Sequence, residues 1–214
     1  MFKACIFDLD GTLVDSLKDL AVSVNYALEL QGLPTHEVEK YRYFVGRGAA
    51  KLVEEVLPEG QRDKLTQEAT SKLFNEYYNL HFLDNTLPYD GIVALIEKLK
   101  QRGIKLAVVS NKPDLFVRKI VDNLFAGYFD SVCGHRDDIP HKPDPTIVNE
   151  VCSLISTSPQ DCIFIGDSGV DMQTANNAGM FAVGALWGFR TRDELAQNGA
   201  AALIERPGDL LALL

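Results

Sequence analysis

The chain has 214 residues, 46% of them hydrophobic, and 30 acidic against 21 basic side chains give it a formal net charge of −9. That length suits one large domain or two small ones around an ordinary core. The acidic balance, with no long basic run, argues against nucleic acid as a partner while leaving room for a local pocket that takes a small anion.

No apolar run approaches the ~20 residues that cross a bilayer, so no membrane association is expected. The opening MFKACIFDLD has acids too early for a signal peptide, which predicts a cytoplasmic protein. Cys5, Cys133, Cys152 and Cys162 lack CxxC spacing and read as reduced core residues rather than zinc ligands or disulfides.

In chain order, a short apolar run at Lys3–Phe7 comes first. It is followed by a long segment, about Ser16 to His81, with helix signals only. Leu17, Leu20, Ala21, Val24 and Leu28 recur at helical spacing, and so do Leu52, Val53 and Val56, then Leu65, Ala69 and Leu73. The turn-rich FLDNTLPYDG closes this segment. From there, continuous apolar runs alternate with helical patterns. The runs are Ile104–Val109, Phe129–Cys133, Cys162–Ile165, Phe181–Leu186 and Ala201–Ile204; the helices are Ile92–Gln101, Asp114–Asn123, Pro145–Ile155 and Val170–Ala178. Unalternated runs suit parallel strands covered on both faces. The predicted architecture is α/β: a Rossmann-like, doubly wound parallel sheet formed by residues 1–15 and 82–214, with residues 16–81 inserted as an all-helical cap domain.

Polar groups gather where the strands stop. The first run ends in Asp8 and Asp10, the second in Ser110-Asn111-Lys112, and the fourth in Gly166-Asp167-Ser168-Gly169-Val170-Asp171, while His141-Lys142-Pro143 precedes the third helix after the insertion. In an open parallel sheet the strand C-termini share one edge, and the ligand crevice lies there. Asp8 and Asp10, two apart on an extended backbone, point the same way. With Asp167 they concentrate negative charge that a hard divalent cation would relieve, and Mg²⁺ favours a few carboxylates plus water and phosphate oxygens. Lys142 adds a mobile positive charge for a carboxylate or a phosphoryl oxygen. Ser110 and the amides after Asp10, those of Gly11 and Thr12, offer hydrogen bonds to phosphate. One carboxylate could attack phosphorus and another could move the proton.

Asp8-Leu9-Asp10-Gly11-Thr12, Ser110, Lys142 and Gly166-Asp167-Ser168 with Asp171 resemble the four ordered motifs of the haloacid dehalogenase superfamily over the whole chain. FDLDGTLVDS, SNKP, HKPDP and GDSGVD most resemble its phosphoglycolate phosphatase-like branch. The resemblance implies a Mg²⁺-dependent phosphatase with Asp8 as nucleophile, Asp10 as general acid/base and Lys142 stabilising the phosphoryl intermediate. It also implies Ser110 and Asn111 at the phosphate, and metal held by Asp8, the Asp10 carbonyl, Asp167 and Asp171. The substrate would be a small phosphorylated metabolite, best matched by 2-phosphoglycolate, with pyrophosphate, sugar phosphates and nucleoside monophosphates as alternatives. The protein would act as a monomer or homodimer. Asp10 stands where dehalogenases carry an aromatic residue, and Leu20 stands where the sugar-phosphate mutases carry a cap histidine; both favour ester hydrolysis.

Each site residue also has an ordinary reading. Lys142 alone is a solvated loop lysine, Asp167-Ser168 an N-cap, and Asp171 a first-turn helix acid. Arg47, in Gly46-Arg47-Gly48, is either a surface arginine in a helix–helix turn or a cap residue that binds a second anionic group on the substrate. His141 borders the pocket lysine, and Trp187 reads as packing. The rival from another class is a non-catalytic phosphate or metal sensor on the same fold.

Overall fold

The structure, a computed structural model, describes residues 2–214; Met1, the first residue of the anticipated core segment 1–15, lies outside the described residues. In chain order the elements are β1 (Ala4–Phe7), β2 (Val14–Asp15), α1 (Leu17–Leu30), α2 (Tyr41–Phe44), α3 (Ala49–Val56), α4 (Lys64–His81), β3 (Leu87–Pro88), α5 (Ile92–Gln101), β4 (Lys105–Pro113), α6 (Asp114–Leu124), β5 (Ser131–His135), α7 (Thr146–Leu154), β6 (Cys162–Gly166), α8 (Gly169–Ala178), β7 (Phe181–Ala185), α9 (Arg192–Gln197) and β8 (Ala202–Ile204). Among the described residues no helix is long and apolar enough to cross a membrane.

Six strands form one parallel sheet in the order β5-β4-β1-β6-β7-β8. The side-chain alternation of β1 explains why its sequence is apolar throughout. Cys5 and Phe7 enter a core with Ile92, Leu95 and Ile96 of α5 and Ile120 of α6. Ala4 and Ile6 enter the opposite core, with Val148 and Val151 of α7 and Met172 of α8. Both faces are covered, so neither can be polar. All four cysteines are free and buried within these layers.

The strand order reverses at β1: the chain moves outward to β4 and β5, then crosses back to β6. That switch point places the C-terminal ends of β1, β4 and β6 side by side, and a crevice opens there.

Residues 17–81 are helical and build a third apolar cluster. Leu17, Leu20, Ala21, Val24, Ala27 and Leu28 form the buried stripe of α1, and Phe74 and Tyr78 of α4 pack into the same cluster. Asp63 starts α4 by accepting from the N–H groups of Leu65 and Thr66, both at 3.1 Å. Phe116 of α6 and Phe189 reach into this cluster from the sheet side.

Two features at the junction left no pattern in the sequence. The chain enters and leaves the helical segment through β2 and β3, a two-stranded antiparallel pair. Two residues are too short for any periodicity. Beside it, the buried Asp19 carboxylate of α1 accepts from Asn85 N (2.9 Å), Asn85 Nδ2 (2.7 Å), Thr86 N (2.8 Å) and Thr86 Oγ1 (2.7 Å). These donors tie the return link to the first helix. Asp19→Ala strands them in a buried position, a loss of about 3 kcal/mol. Thermal unfolding of this variant is expected about 6–12 °C below the parent; a shift within experimental error would show that water replaces the carboxylate.

Candidate active site

Asp8 follows β1 directly, Ser110 and Lys112 lie in the last turn of β4, Lys142 comes from the loop between β5 and α7, and Asp167 and Asp171 flank the start of α8. All six are buried, although they are polar and span the chain. Ser168 caps α8 through a capping box: its hydroxyl and N–H both donate to Asp171 Oδ2, at 2.6 and 3.1 Å. Capping holds one Asp171 oxygen and leaves Oδ1 facing the crevice.

Lys142 Nζ lies 2.7 Å from Asp171 Oδ1 and 2.9 Å from Asp8 Oδ1. It also donates to the carbonyl of Val109 at 3.3 Å. Burial works against its charge, but Asp171 and Asp8 more than offset that and hold the ammonium above the usual lysine range. The carboxylates respond oppositely. Burial, then the charge of Asp171, push Asp8 up to about 7 even with Lys142 opposing. Burial and the charges of Asp171 and Asp8 push Asp167 well above the carboxylate range.

Carboxylate oxygens of Asp8, Asp167 and Asp171 lie within 4.8 Å of one another. One ammonium among three carboxylates leaves excess negative charge. Asp8 Oδ1 is paired in charge with Lys142 but, among the described residues, makes no hydrogen bond of good geometry. An orphaned buried oxygen within a hard, oxygen-only donor set fits a divalent cation. Asp167 is presented on both sides: Phe189 N–H donates to Oδ2 at 2.7 Å and the Thr12 hydroxyl to Oδ1 at 3.3 Å. Gly11, at φ +86°, passes so close that a Cβ there would collide with the Asp167 carboxylate.

The Asp10 side chain faces away from that cluster. Lys112 Nζ stands 3.1 Å from each Asp10 oxygen, and Ser16 Oγ donates to Oδ1 at 2.5 Å. Lys112 is buried because the β4–β5 register shifts between Val109 and Pro113, which turns a lysine before a proline inward. Its sequence position, beside a proline at a strand end, resembles a solvated terminus and gave no signal of this.

Several predicted substrate contacts are placed differently. The Gly11 and Thr12 amides are spent inside the turn, Gly11 N–H on Val14 O at 2.9 Å and Thr12 N–H on Leu9 O at 3.3 Å. One step earlier, the N–H groups of Leu9 and Asp10 have no hydrogen-bond partner among the described residues. Thr12 serves Asp167 and, through its carbonyl, the Trp187 indole at 3.0 Å. Asn111 is a brace: its amide donates to Gly46 O and Lys142 O and accepts from Lys142 N, joining the helical segment to the lysine loop. Ser110 lines the crevice, its hydroxyl accepting from Lys112 N at 3.3 Å. Arg47 is not brought to these groups. Glu55 holds it at 2.6 Å on an exposed face, away from the cavity. His141 stacks on His135, ring centroids 3.4 Å apart, instead of lining the cavity.

The helices close the crevice into a cavity of about 50 Å³ over Asp8, Asp10, Ser110 and Lys112, walled by Leu20, Leu52, Phe74 and Tyr78. Carboxylates, an ammonium, free amides and a small enclosed volume together can bind a compact phosphate ester and move a proton on it.

The chain is similar to known proteins in sequence and fold. A family model described as haloacid dehalogenase-like hydrolase matches residues 5–185. A protein of Aquifex aeolicus named phosphoglycolate phosphatase is 34% identical, over 99% of this chain and 96% of its own length. One of the same name from Psychrobacter arcticus is 36% identical over 90% of this chain and 86% of its own. The crystal structure of a predicted phosphoglycolate phosphatase from Haemophilus somnus matches with a TM-score of 0.91 at 30% identity, covering 99% of this chain and 97% of that one. A further crystal structure, from Lactobacillus delbrueckii, reaches 0.93 at 33% identity and covers 98% and 96%.

Proposed function

The chain belongs to the haloacid dehalogenase-like hydrolase family, and we propose that it is a Mg²⁺-dependent phosphatase whose substrate is 2-phosphoglycolate. Residues 1–15 and 82–214 act as the catalytic core, and residues 16–81 as a cap that closes over a small phosphorylated metabolite. The observation that carries the reading is the buried meeting of Asp8, Asp167 and Asp171 with Lys142 at the switch point of the sheet. The curated relatives that bear the name phosphoglycolate phosphatase support the substrate.

Asp8, Asp167 and Asp171 would hold the metal, which when bound neutralises charge on the phosphoryl oxygens. In the first step an Asp8 carboxylate oxygen attacks phosphorus. The P–O ester bond breaks, and the departing alkoxide takes the proton of the Asp10 carboxyl group. In the second step water attacks phosphorus, Asp10 takes back a proton, and the Asp8–phosphorus bond breaks to give inorganic phosphate and the free carboxylate. Ser110 and the N–H groups of Leu9 and Asp10 orient the phosphate, and Lys142 offsets negative charge on Asp8 and the transferring group. The apolar wall of Leu20, Leu52 and Phe74 excludes bulk water. The narrow cavity beneath the helices, walled by Leu20, Leu52 and Phe74, favours a compact ester over a hexose or nucleoside.

The test is phosphate release from a panel of 2-phosphoglycolate, hexose phosphates, nucleoside monophosphates and pyrophosphate, with Mg²⁺ and with chelator. Release is expected from 2-phosphoglycolate first and is expected to stop with chelator. Preference for a hexose phosphate or nucleotide would sink the substrate assignment, and no release from any compound would sink the phosphatase.

A further inference from the structure

The wall that the helical segment contributes to the cavity is mostly apolar, with Asn75 and Tyr78 of α4 as its polar side chains. Tyr78 is 1% exposed, and among the described residues its hydroxyl makes no hydrogen bond of good geometry, although the Lys112 ammonium is close enough to bear on it. A buried hydroxyl without a partner costs free energy, so one kept at a cavity surface marks a position that a ligand completes. Beside it is Lys112, whose ammonium lies 4.8 Å from the centre of the Tyr78 ring. Asp10 takes Lys112 at both its oxygens, and an ammonium carries three donors, which leaves one for Tyr78 or a ligand. Burial pushes the Tyr78 phenol up to about 12 against the pull of Lys112, so the hydroxyl is a neutral donor. A cation and a neutral O–H, side by side on the cavity surface, match the two oxygens of a carboxylate.

We propose that Lys112 and Tyr78 form a subsite for a carboxylate carried by the leaving group of the substrate. The subsite rests on the phosphatase reading above and names how that site would choose its substrate. Arg47, the arginine that the sequence offered for this task, is paired with Glu55 outside the cavity. In the subsite the carboxylate and Asp10 share Lys112. One ammonium would then both neutralise the substrate's second charge and touch the residue that protonates its leaving oxygen, so recognition and proton transfer meet at a single side chain. A leaving group without a carboxylate leaves the Tyr78 hydroxyl unsatisfied, and a site with an unpaired buried polar group rejects the analogue that lacks its partner.

The experiment compares 2-phosphoglycolate with ethyl phosphate, which has a methyl group where the first has a carboxylate. Both are assayed with Mg²⁺ on the wild type, Tyr78→Phe and Arg47→Ala. Tyr78→Phe keeps the ring and removes only a buried hydroxyl with no well-formed hydrogen bond, so its melting temperature is expected to equal or exceed that of the wild type. Its kcat/KM for 2-phosphoglycolate is expected to fall by about tenfold or more, mainly through KM, while that for ethyl phosphate holds or rises, so that the preference between the two esters narrows by about tenfold or more. Glycolate is expected to inhibit ethyl phosphate hydrolysis by the wild type and to do so far more weakly with Tyr78→Phe. Arg47→Ala is expected to keep the wild-type preference. Equal losses on both esters in Tyr78→Phe would make Tyr78 a packing residue and overturn the subsite. So would loss of preference in Arg47→Ala alone. A wild type that hydrolyses both esters equally would overturn the subsite and leave the phosphatase standing, whereas hydrolysis of neither would overturn both.

Discussion

Asp8→Asn is expected to abolish phosphate release while leaving the fold at least as stable as the parent. The loss of turnover follows from chemistry, because an amide cannot attack phosphorus and then be regenerated by water. Removing an attacking group of this kind costs several powers of ten, on the order of 10³-fold or more. The stability follows from electrostatics. Burial and the charge of Asp171 push Asp8 up to about 7. A carboxyl raised in the folded state stabilises it fully at acid pH, below the unfolded carboxylate range. As pH rises toward 7 the unfolded chain releases its proton and the folded chain does not, so that stability is lost, and above 7 the loss is complete. Asparagine carries no such burden. In chelator at pH 8 the melting temperature of Asp8→Asn should therefore equal or exceed that of the parent, with the difference shrinking toward pH 5. Such a trade between activity and stability is expected where like charges are held together for chemistry. A variant that retained phosphate release would remove Asp8 as nucleophile. A folded variant that is inactive because the parent is inactive too, yet still binds phosphate, would return the question to the sensor reading.

What the sequence revealed, and what it hid, divides along physical lines. The strands were legible because a parallel strand buried on both faces must be apolar along its length, as Cys162–Gly166 is. Asp8, Lys142 and Asp167 were legible because few reasons exist for such residues at strand ends in that order. The spacing in the helical segment marked the buried stripes of α1 and α3, but on α4 it picked Leu65 and Ala69, which are exposed. Lys112 was not legible, since its burial depends on a register shift between β4 and β5 that no local pattern encodes. Tyr78 was not singled out: the pattern traced along α4 ran through Leu65, Ala69 and Leu73, whereas the buried face carries Thr70, Phe74 and Tyr78. Arg47 misled for the converse reason. An arginine between two glycines looks free to reach inward, but Glu55, one helix further on, takes it. The Gly11 and Thr12 amides were assigned to phosphate because they follow the carboxylates, and the turn that aims those carboxylates consumes them. Residue types that chemistry demands can be read from the chain, while the partner that claims each polar group is decided by tertiary packing.

Lys142→Met is expected to stop turnover as completely as Asp8→Asn and to affect stability in the opposite direction. Lys142 pairs with both Asp8 and Asp171 within 2.9 Å, and it is 4% exposed. Methionine fills similar volume without the charge, so packing is preserved and the electrostatic loss is isolated. Breaking a buried pair by removing one partner costs about 3–5 kcal/mol. Lys142 is the group that pulls Asp8 down, so without it Asp8 rises further above the value of about 7 that it holds beside the lysine. The sign is that of a raised acid: the penalty accumulates as pH rises and reaches its full size only above the new, higher value. In chelator the melting temperature of Lys142→Met should fall well below the parent at pH 8 and approach it at pH 5. Turnover on 2-phosphoglycolate should fall about 10²–10³-fold or more, as when a preorganised donor to a developing charge is removed. The double variant Asp8→Asn/Lys142→Met completes the cycle. With Asp8 uncharged, the missing lysine strands fewer negative charges, so the double variant should be more stable at pH 8 than Lys142→Met alone. Simple additivity of the two single changes would mean that Lys142 and Asp8 are not coupled and that the lysine serves Asp171 instead. A coupling that is large at pH 8 and small at pH 5 would place the ammonium where the buried Asp8 carboxylate needs it.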